Sequence, residues 1–135
     1  MPAAEIFLDT NVLLYLLSAN PAKADRAEAL LSRRGVISVQ VLNEFASVAT
    51  RKLSMSVAEV REALSTVRTF CDVVPLSIET HDLALDLVER YHLSIFDALI
   101  ISAATLAKCR TLYSEDMQHG QKIDGLTIRN PFVAP

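Results

Sequence analysis

Short apolar runs rich in β-branched residues alternate with longer amphipathic segments along the whole of this chain. The apolar runs predict five strands, at residues 6–8, 36–39, 73–76, 111–114 and 126–129. The segments between them have the spacing of helices with one apolar face. Strands that alternate with helices favour an α/β sandwich with a mainly parallel central sheet. In such sheets ligands bind beyond the carboxyl ends of the strands.

Six helices are predicted, at residues 12–18, 22–34, 40–53, 56–70, 80–91 and 94–108. Pro21 separates the first two, and Gly35 is predicted to be the left-handed residue that follows the second. Ser56 and Glu59 have the spacing of a capping box. Pro75 confines the third strand to an edge of the sheet or to a strand end, because proline cannot donate a ladder hydrogen bond.

The chain has 135 residues, which suits a single domain spanning 1–135, and 51% hydrophobic residues exclude a disordered chain. No apolar run approaches the roughly 18 residues that span a bilayer, so no membrane association is expected. No basic segment precedes a long apolar block at the N-terminus, so we expect no signal peptide. Cys71 and Cys109 lie far apart and outside any CxxC spacing. Two reduced, buried thiols in a cytoplasmic protein are therefore predicted.

The formal net charge is −3, which is unlike that of a protein that neutralises many phosphates over a broad surface. Contact with nucleic acid would have to be local, through a small basic patch or through bound metal cations. The candidate patches are Arg33 with Arg34, Arg51 with Lys52, and Arg61 with Arg68. Each is also typical of an ordinary solvated face.

Four carboxylates stand in apolar contexts, whereas most acidic residues of the chain lie among other charges: Asp9, Glu44, Asp97 and Asp116. Three of them have an ordinary structural explanation. Asp9 could cap a helix, Asp97 could form a capping box with Ser94, and Asp116 could be a turn residue. Taken one at a time, these explanations are as good as a functional one.

Glu44 and Asp97 are harder to explain in this way. Glu44 lies in mid-helix along an apolar flank, and Asp97 shares its helix face with Ile100 and Ile101. An unpaired buried carboxylate costs several kcal/mol. No Lys or Arg stands three or four residues from Asp97, and Arg51 is two turns from Glu44. A hard divalent cation such as Mg²⁺ or Mn²⁺ would neutralise them.

A zinc site is not expected, since neither the histidines nor the cysteines show paired ligand spacing. His119, three residues after Asp116, is interpreted as an exposed loop residue.

The four contexts together resemble the PIN-domain family, and within it the VapC-type toxin ribonucleases of toxin–antitoxin pairs. The matching pieces are "FLDTNVLLYLL", "SVQVLNEF", "LSIFDALIISAA" and "LYSEDMQHG", in the order of the family and over nearly the whole chain. "DTN" alone is weak evidence, but the four pieces together are specific. The resemblance implies a three-layer α/β/α sandwich.

The resemblance also implies residue roles. Asp9, Glu44, Asp97 and Asp116 correspond to the acidic cluster that carries catalysis and binds one or two Mg²⁺ or Mn²⁺ ions. The first, third and fourth would be direct ligands, and Glu44 would hold a second ion or its water. Asn11 and Ser114 correspond to polar residues that orient the carboxylates. Glu115 is expected to point outward. Phe96 departs from the tryptophan of many relatives but keeps an aromatic ring.

The function implied is a metal-dependent endoribonuclease that hydrolyses RNA phosphodiester bonds, as the toxin of a toxin–antitoxin module. The alternative is a PIN-fold module that binds RNA or a protein with little or no nuclease activity. A third interpretation makes Asp9 a phospho-acceptor. It is disfavoured because "SED" stands where such domains place a lysine after a later strand.

The family further implies a cognate antitoxin and a homodimer. An antitoxin would lay a segment into an apolar groove and point a basic side chain at the acidic cluster. Leu13, Leu14, Leu16, Leu17 and the helix at residues 56–70 are candidates to line that groove. Ordinary core packing is the alternative explanation for these apolar residues.

Overall fold

Residues 5–133 are described by the computed structural model, and within them the chain forms six strands and six α-helices. The strands are β1 (Ile6–Leu8), β2 (Val36–Ser38), β3 (Asp72–Val74), β4 (Thr111–Tyr113), β5 (Lys122–Ile123) and β6 (Leu126–Arg129). The helices are α1 (Thr10–Leu14), α2 (Pro21–Leu31), α3 (Val39–Arg51), α4 (Val57–Phe70), α5 (Ile78–Tyr91) and α6 (Ile95–Leu106). A 3₁₀ turn, Tyr15–Leu17, extends α1.

The strands form one sheet in the order β3-β2-β1-β4-β6-β5. Every pairing is parallel except that of β5 with β6. The fold is a three-layer α/β/α sandwich around this sheet, which confirms the predicted fold class. β3 lies at an edge and ends just before Pro75, as the proline predicts.

The middle strands supply the centre of the core. Phe7, Leu8, Ile37, Leu112 and Ile128 are completely buried. Strands covered by helices on both faces have no solvent side, which explains why these runs are continuously apolar rather than alternating.

The direction in which successive strands are added to the sheet reverses at β1. The chain proceeds from β1 to β2 and β3 on one side, and β4 and β6 lie on the other. The carboxyl ends of β1 and β4 therefore border the crevice where ligands bind in open α/β sheets. Asp9 follows β1 directly and Ser114 follows β4, so both lie at this crevice.

One strand, β5, was not predicted from the sequence. Lys122 and Ile123 pair antiparallel with β6 through a tight hairpin whose two turn residues are Asp124 (φ 49°) and Gly125 (φ 89°). An Asp-Gly pair is the typical signal for such a turn. The signal was present, but β5 has only two residues and no apolar run of its own.

The role predicted for Gly35 is wrong. Helix α2 ends at Leu31, three residues earlier than expected, and the left-handed residue that follows is Arg34 (φ 56°). Gly35 is instead needed for close packing. A Cβ at this position would lie 2.8 Å from Ile6 Cγ1 and 2.9 Å from the carbonyl oxygen of Ile6 on β1.

The predicted capping box of α4 is confirmed. Ser56 Oγ accepts from the Glu59 N–H (3.1 Å), and Glu59 Oε1 accepts from the Ser56 N–H (2.8 Å). Cys71 and Cys109 are buried free thiols, as predicted, and burial raises the pKa of each to about 11. Between residues 5 and 133 there is no helix with the length and apolarity to cross a bilayer.

Candidate active site

The crevice at the ends of β1 and β4 opens into a cleft of about 310 Å³. All four of the carboxylates singled out in the sequence line it: Asp9, Glu44, Asp97 and Asp116. They come from the end of β1, the middle of α3, the first turn of α6 and the loop after β4. Residues up to 107 positions apart are thus brought to one place by the parallel sheet and its crossover helices.

Asp9 is the most buried member, at 7% exposure. It caps α1, since its Oδ1 accepts from the Thr10 N–H (2.7 Å), and its Oδ2 accepts from Ser114 Oγ (2.8 Å). Its own N–H donates to the carbonyl oxygen of Tyr113 (3.0 Å), which fixes it against β4. Burial raises the pKa of Asp9 to about 6, although both hydrogen bonds oppose the shift and the charges of Glu44 and Asp116 add to it. Asp9 therefore both caps a helix and carries a perturbed carboxyl in the cleft.

Glu44 is half-buried on the cleft side of α3 and is held from two directions. Thr10 Oγ1 donates to its Oε1 (2.7 Å), and Gln40 Nε2 approaches its Oε2 at 3.4 Å. The same Gln40 nitrogen donates to the carbonyl oxygen of Phe96 (3.1 Å). Gln40 thus links α3, and with it Glu44, to the first turn of α6.

Asp97 lies in the first turn of α6, which Ser94 caps by accepting from the Asp97 N–H (3.1 Å). The Ser94 half of the capping box suggested for Asp97 is therefore present, and Asp97 also lines the cleft. Partial burial raises the pKa of Asp97, and the charges of Asp116 and Glu44 raise it further. No hydrogen bond in residues 5–133 links it directly to another carboxylate of the cleft.

Asp116 is exposed, unlike the other three carboxylates of the cleft. It sits on the loop after β4, where Ser114 Oγ accepts from its N–H (3.2 Å) and Asn11 Nδ2 donates to its Oδ2 (2.9 Å). Asn11 Oδ1 also accepts from the Glu115 N–H (3.2 Å). Asn11 therefore hydrogen-bonds to Asp116, and Ser114 hydrogen-bonds to both Asp9 and Asp116.

The sequence matches the family model described as "PIN domain" over residues 6–122, which is most of the chain and includes all four carboxylates. This chain belongs to the PIN-domain family. A comparison with curated protein sequences finds no match.

Solved structures share the fold of this PIN domain at low sequence identity. A toxin–antitoxin complex from Klebsiella pneumoniae has a TM-score of 0.73 at 19% identity, covering 94% of this chain and 98% of that one. The sarcin-ricin loop cleaving toxin VapC20 of Mycobacterium tuberculosis has a TM-score of 0.67 at 19% identity, covering 82% and 89%. VapBC2 of Rickettsia felis, bound to a DNA fragment from its promoter, has a TM-score of 0.67 at 20% identity, covering 93% and 97%.

Thr10 and Gln40 contribute to the cleft of the PIN domain but were not singled out in the sequence, and Arg51 was named only in a candidate basic patch with Lys52. Arg51 was set aside as two turns from Glu44, yet seven residues along a helix return to nearly the same face. Its Nε donates to Ser47 Oγ (3.0 Å), and it is the one basic residue lining the cleft among residues 5–133. The seven-residue spacing between Glu44 and Arg51 was therefore a sequence signal that could have identified Arg51 as a residue of the cleft.

Two residues near Asp116 lie outside the cleft. Glu115 was expected to point outward, but it is half-buried, accepts from the Tyr15 hydroxyl and lies 3.9 Å from Lys23 Nζ. His119 is exposed, as expected, and its Nδ1 accepts from the Asn130 N–H (2.9 Å). Both residues fix the loop that carries Asp116.

Among residues 5–133, no three His, Cys, Asp or Glu side chains already surround a common point as metal ligands would. The oxygens of Asp9, Glu44 and Asp116 are held by hydrogen-bond donors instead. Even so, the donor set consists of oxygen atoms, and the charges of Glu44 and Asp116 add to the raised pKa values of Asp9 and Asp97. Unbalanced negative charge on hard ligands fits a divalent cation of the Mg²⁺ class.

Proposed function

We propose that this PIN domain is a Mg²⁺- or Mn²⁺-dependent endoribonuclease and the toxin of a toxin–antitoxin pair. The single observation that carries the proposal is the cleft at the reversal point of the sheet, into which four distant carboxylates converge. Proteins rarely gather like charges in one partly buried place without a counter-charge, because the repulsion and desolvation are costly. One or two cations, held by Asp9, Asp97, Asp116 and Glu44, would supply that counter-charge.

A bound divalent cation lowers the pKa of water and neutralises charge on a phosphodiester. The other roles in this proposal belong to the side chains of the protein. Ser114 orients Asp9, Thr10 orients Glu44, and Asn11 orients Asp116, each through one hydrogen bond of 2.7–2.9 Å. Fixed carboxylates of this kind are the positioned groups that phosphoryl chemistry requires.

Asp97 is proposed to be a direct ligand of the cation. Its carboxyl is half-buried in the first turn of α6 and lines the cleft with the other three carboxylates. Arg51, on the opposite helix lining the cleft, is placed to contact a phosphate oxygen. RNA as the substrate class is supported by the fold shared with VapC20, which is described as a sarcin-ricin loop cleaving toxin.

The antitoxin is proposed to bind an apolar groove of about 470 Å³ on the same molecule. Leu16 and Leu17 of the 3₁₀ turn line it, together with Ala63, Val67 and Phe70 of α4. These include members of both segments that the sequence suggested, whereas Leu13 is part of the core. The shared fold with toxin–antitoxin complexes supports a protein partner.

We also propose that the protein is cytoplasmic and that it forms a homodimer. Phe96 is 64% exposed and Leu76 is 42% exposed, and together with Leu99 they border an open apolar hollow beside the acidic cleft. Exposed apolar side chains that adjoin one another are typical of a protein contact. Light scattering of the purified protein at several concentrations tests the dimer, and a monomer throughout would remove it from the proposal.

The nuclease proposal is tested by incubating RNA with the wild type and with Asp97→Asn, in Mg²⁺ or Mn²⁺ and in EDTA. We expect cleavage by the wild type only with the metal, and a loss of roughly 100-fold or more in the variant, which lacks one of the proposed metal ligands. Asp82→Asn removes the same charge from an exposed position on α5 and should cleave like the wild type.

Equal cleavage by Asp97→Asn and the wild type would refute the site assignment. RNA binding without cleavage under all of these conditions would favour the alternative of a binding module.

A further inference from the structure

Two arginines contact Tyr113 at the carboxyl end of β4, and a third lies beside it on β6, at the end of the sheet that also carries the acidic cleft. Arg26 and Arg33, seven residues apart, place their guanidinium carbons 5.8 and 5.9 Å from the centre of the Tyr113 ring. Arg129 is the register partner of Tyr113 on the neighbouring strand β6. We call Arg26, Arg33 and Arg129 the arginine cluster.

The arginine cluster is fixed in place without carboxylates. Arg33 Nη1 donates to the Tyr113 hydroxyl (3.2 Å), and Arg26 Nε donates to the carbonyl oxygen of Pro131 (2.9 Å). Within residues 5–133 the ion pairs are Lys23 with Glu115 and Arg90 with Asp124, so no carboxylate neutralises the cluster. Three positive charges gathered in a protein of net charge −3 indicate an anionic ligand.

The surface beside these side chains is concave. A hollow of about 260 Å³ is lined by Arg26, Tyr113, His119, Arg129 and Asn130. Guanidinium groups suit phosphate particularly well, because their N–H groups form a planar fork that matches two phosphate oxygens. Val133 also lines the hollow, and Arg33 borders it through its hydrogen bond to the Tyr113 hydroxyl.

The distance between the arginine cluster and the cleft indicates which kind of phosphate ligand the cluster would bind. Tyr113 lines the hollow, and Asp116, three residues later, lines the acidic cleft. Three residues of chain span no more than about 11 Å. A single strand with one phosphate in the cleft would therefore bring a neighbouring phosphate to the cluster.

We propose that the arginine cluster binds the backbone of the RNA strand whose scissile phosphate enters the acidic cleft. This proposal rests on the proposed ribonuclease function. It accounts for RNA recognition by an acidic protein, because the positive charge is concentrated where the strand leaves the cleft. Contacts of this kind position the strand and carry no sequence preference.

The test measures binding of a fluorescein-labelled oligouridylate by fluorescence anisotropy in EDTA, where cleavage cannot occur, over a range of salt concentrations. The wild type is compared with Arg33→Gln/Arg129→Gln. We expect weaker binding and a slope of log K against log salt that is smaller by about 0.7 for each phosphate that the variant no longer neutralises.

The matched control is Lys108→Gln/Arg110→Gln, which removes two exposed cations that precede β4 at its amino end and line neither the cleft nor the hollow. The control should keep the slope of the wild type. An equal reduction of the slope in both double variants would reveal a general charge effect and overturn the proposal. An unchanged slope in Arg33→Gln/Arg129→Gln would also overturn it.

If the double variant fails to fold, Arg129→Gln alone replaces it, since the Arg129 side chain makes no hydrogen bond within the described residues; its slope should fall by about 0.7. Binding and cleavage are measured separately, so the two proposals fail separately. A wild type that binds with this arginine dependence but never cleaves removes only the nuclease function. A wild type that cleaves, with an unchanged slope in the variant, removes only the arginine cluster.

Discussion

Asp9 is both the N-cap of a helix and an ionisable side chain in an almost completely buried position. As a cap it accepts from the Thr10 N–H, and as a member of the cleft it is held by Ser114. The two hydrogen bonds favour the ionised form, but burial outweighs them and the pKa rises to about 6. At neutral pH the site therefore holds a carboxylate whose charge destabilises the protein unless a cation is bound.

Asp9→Asn is expected to stabilise the metal-free protein at high pH. The pKa of Asp9 is higher in the folded state than its ordinary value of 3.8, so the folded protein retains a proton that the unfolded chain releases. Stability therefore falls as pH rises from about 4 through about 6. The variant lacks this loss and should gain on the order of 1–3 kcal/mol over the wild type at pH 8, and little at pH 4.

Urea denaturation in EDTA between pH 4 and pH 8 measures this difference in the free energy of unfolding. Asp82→Asn, at an exposed position on α5, provides the comparison for removal of a charge elsewhere. A wild type that gains stability relative to Asp9→Asn as the pH rises would contradict the expected sign.

Mg²⁺ should stabilise the wild type at pH 8 and so offset the destabilisation caused by the Asp9 charge. A ligand that binds only the folded protein raises the free energy of unfolding by about 2.7 kcal/mol at one hundred times its dissociation constant. Wild type should show this gain, and Asp9→Asn should show little of it because the variant lacks one of the proposed metal ligands. Thermal unfolding with and without Mg²⁺ measures the effect independently of activity, and equal gains in both proteins would exclude Asp9 as a ligand.

At the scale of the elements, the position of β1 depends on the absence of a side chain at Gly35. The chain enters β2 from Arg34 in a left-handed conformation and passes against Ile6. One of the two atoms that a Cβ would meet is the Ile6 carbonyl oxygen, which belongs to the backbone and cannot turn aside. Since Asp9 stands three residues beyond Ile6, this contact also bears on the cleft.

Gly35→Ala is therefore expected to destabilise the protein by about 1–3 kcal/mol, the usual cost of overpacking. Chemical denaturation measures the change in the free energy of unfolding. Arg34→Gly, one residue away, is the matched control, because glycine accepts the positive φ of that position at no steric cost. Gly35→Ala with the stability of the wild type would show that β1 and β2 can separate slightly without penalty.

On the scale of the whole molecule, the acidic cleft and the apolar groove are formed by different faces of the same helices. α3 contributes Glu44 to the cleft and Phe45 to the groove, and the segment after β1 contributes Asn11 to one and Leu16 to the other. A partner seated in the groove therefore lies against the elements that carry the carboxylates. The proposed antitoxin, bound in the apolar groove, would therefore be able to regulate the acidic cleft.

Leu17→Asp is expected to weaken capture of the antitoxin without unfolding the protein, because Leu17 is 39% exposed at the groove. The measurement is copurification after coexpression with the product of a small reading frame adjacent to this gene. Leu85→Asp, at a site on α5 that is 49% exposed and outside the groove, is the control and should retain capture. Equal capture by the two variants would place the partner elsewhere.

The sequence by itself determined the class of fold and the identity of the four carboxylates. Strand and helix patterns are local, because they follow from the spacing of apolar residues, and an acidic residue in an apolar run is visible wherever it occurs. The Ser56 capping box and the edge position of β3 were predicted for the same reason. The Asp124-Gly125 turn was an equally local signal that was overlooked.

Only the tertiary structure decided how these residues meet. The pairing of Asp9 with Ser114, of Glu44 with Thr10 and of Asp116 with Asn11 depends on strand order and register, which join segments 34 to 105 residues apart. The exposure of Asp116 and the gathering of Arg26, Arg33 and Arg129 around Tyr113 likewise depend on which strands are neighbours. Contacts between distant segments leave no periodic trace in the chain, and for that physical reason the sequence alone could not supply them.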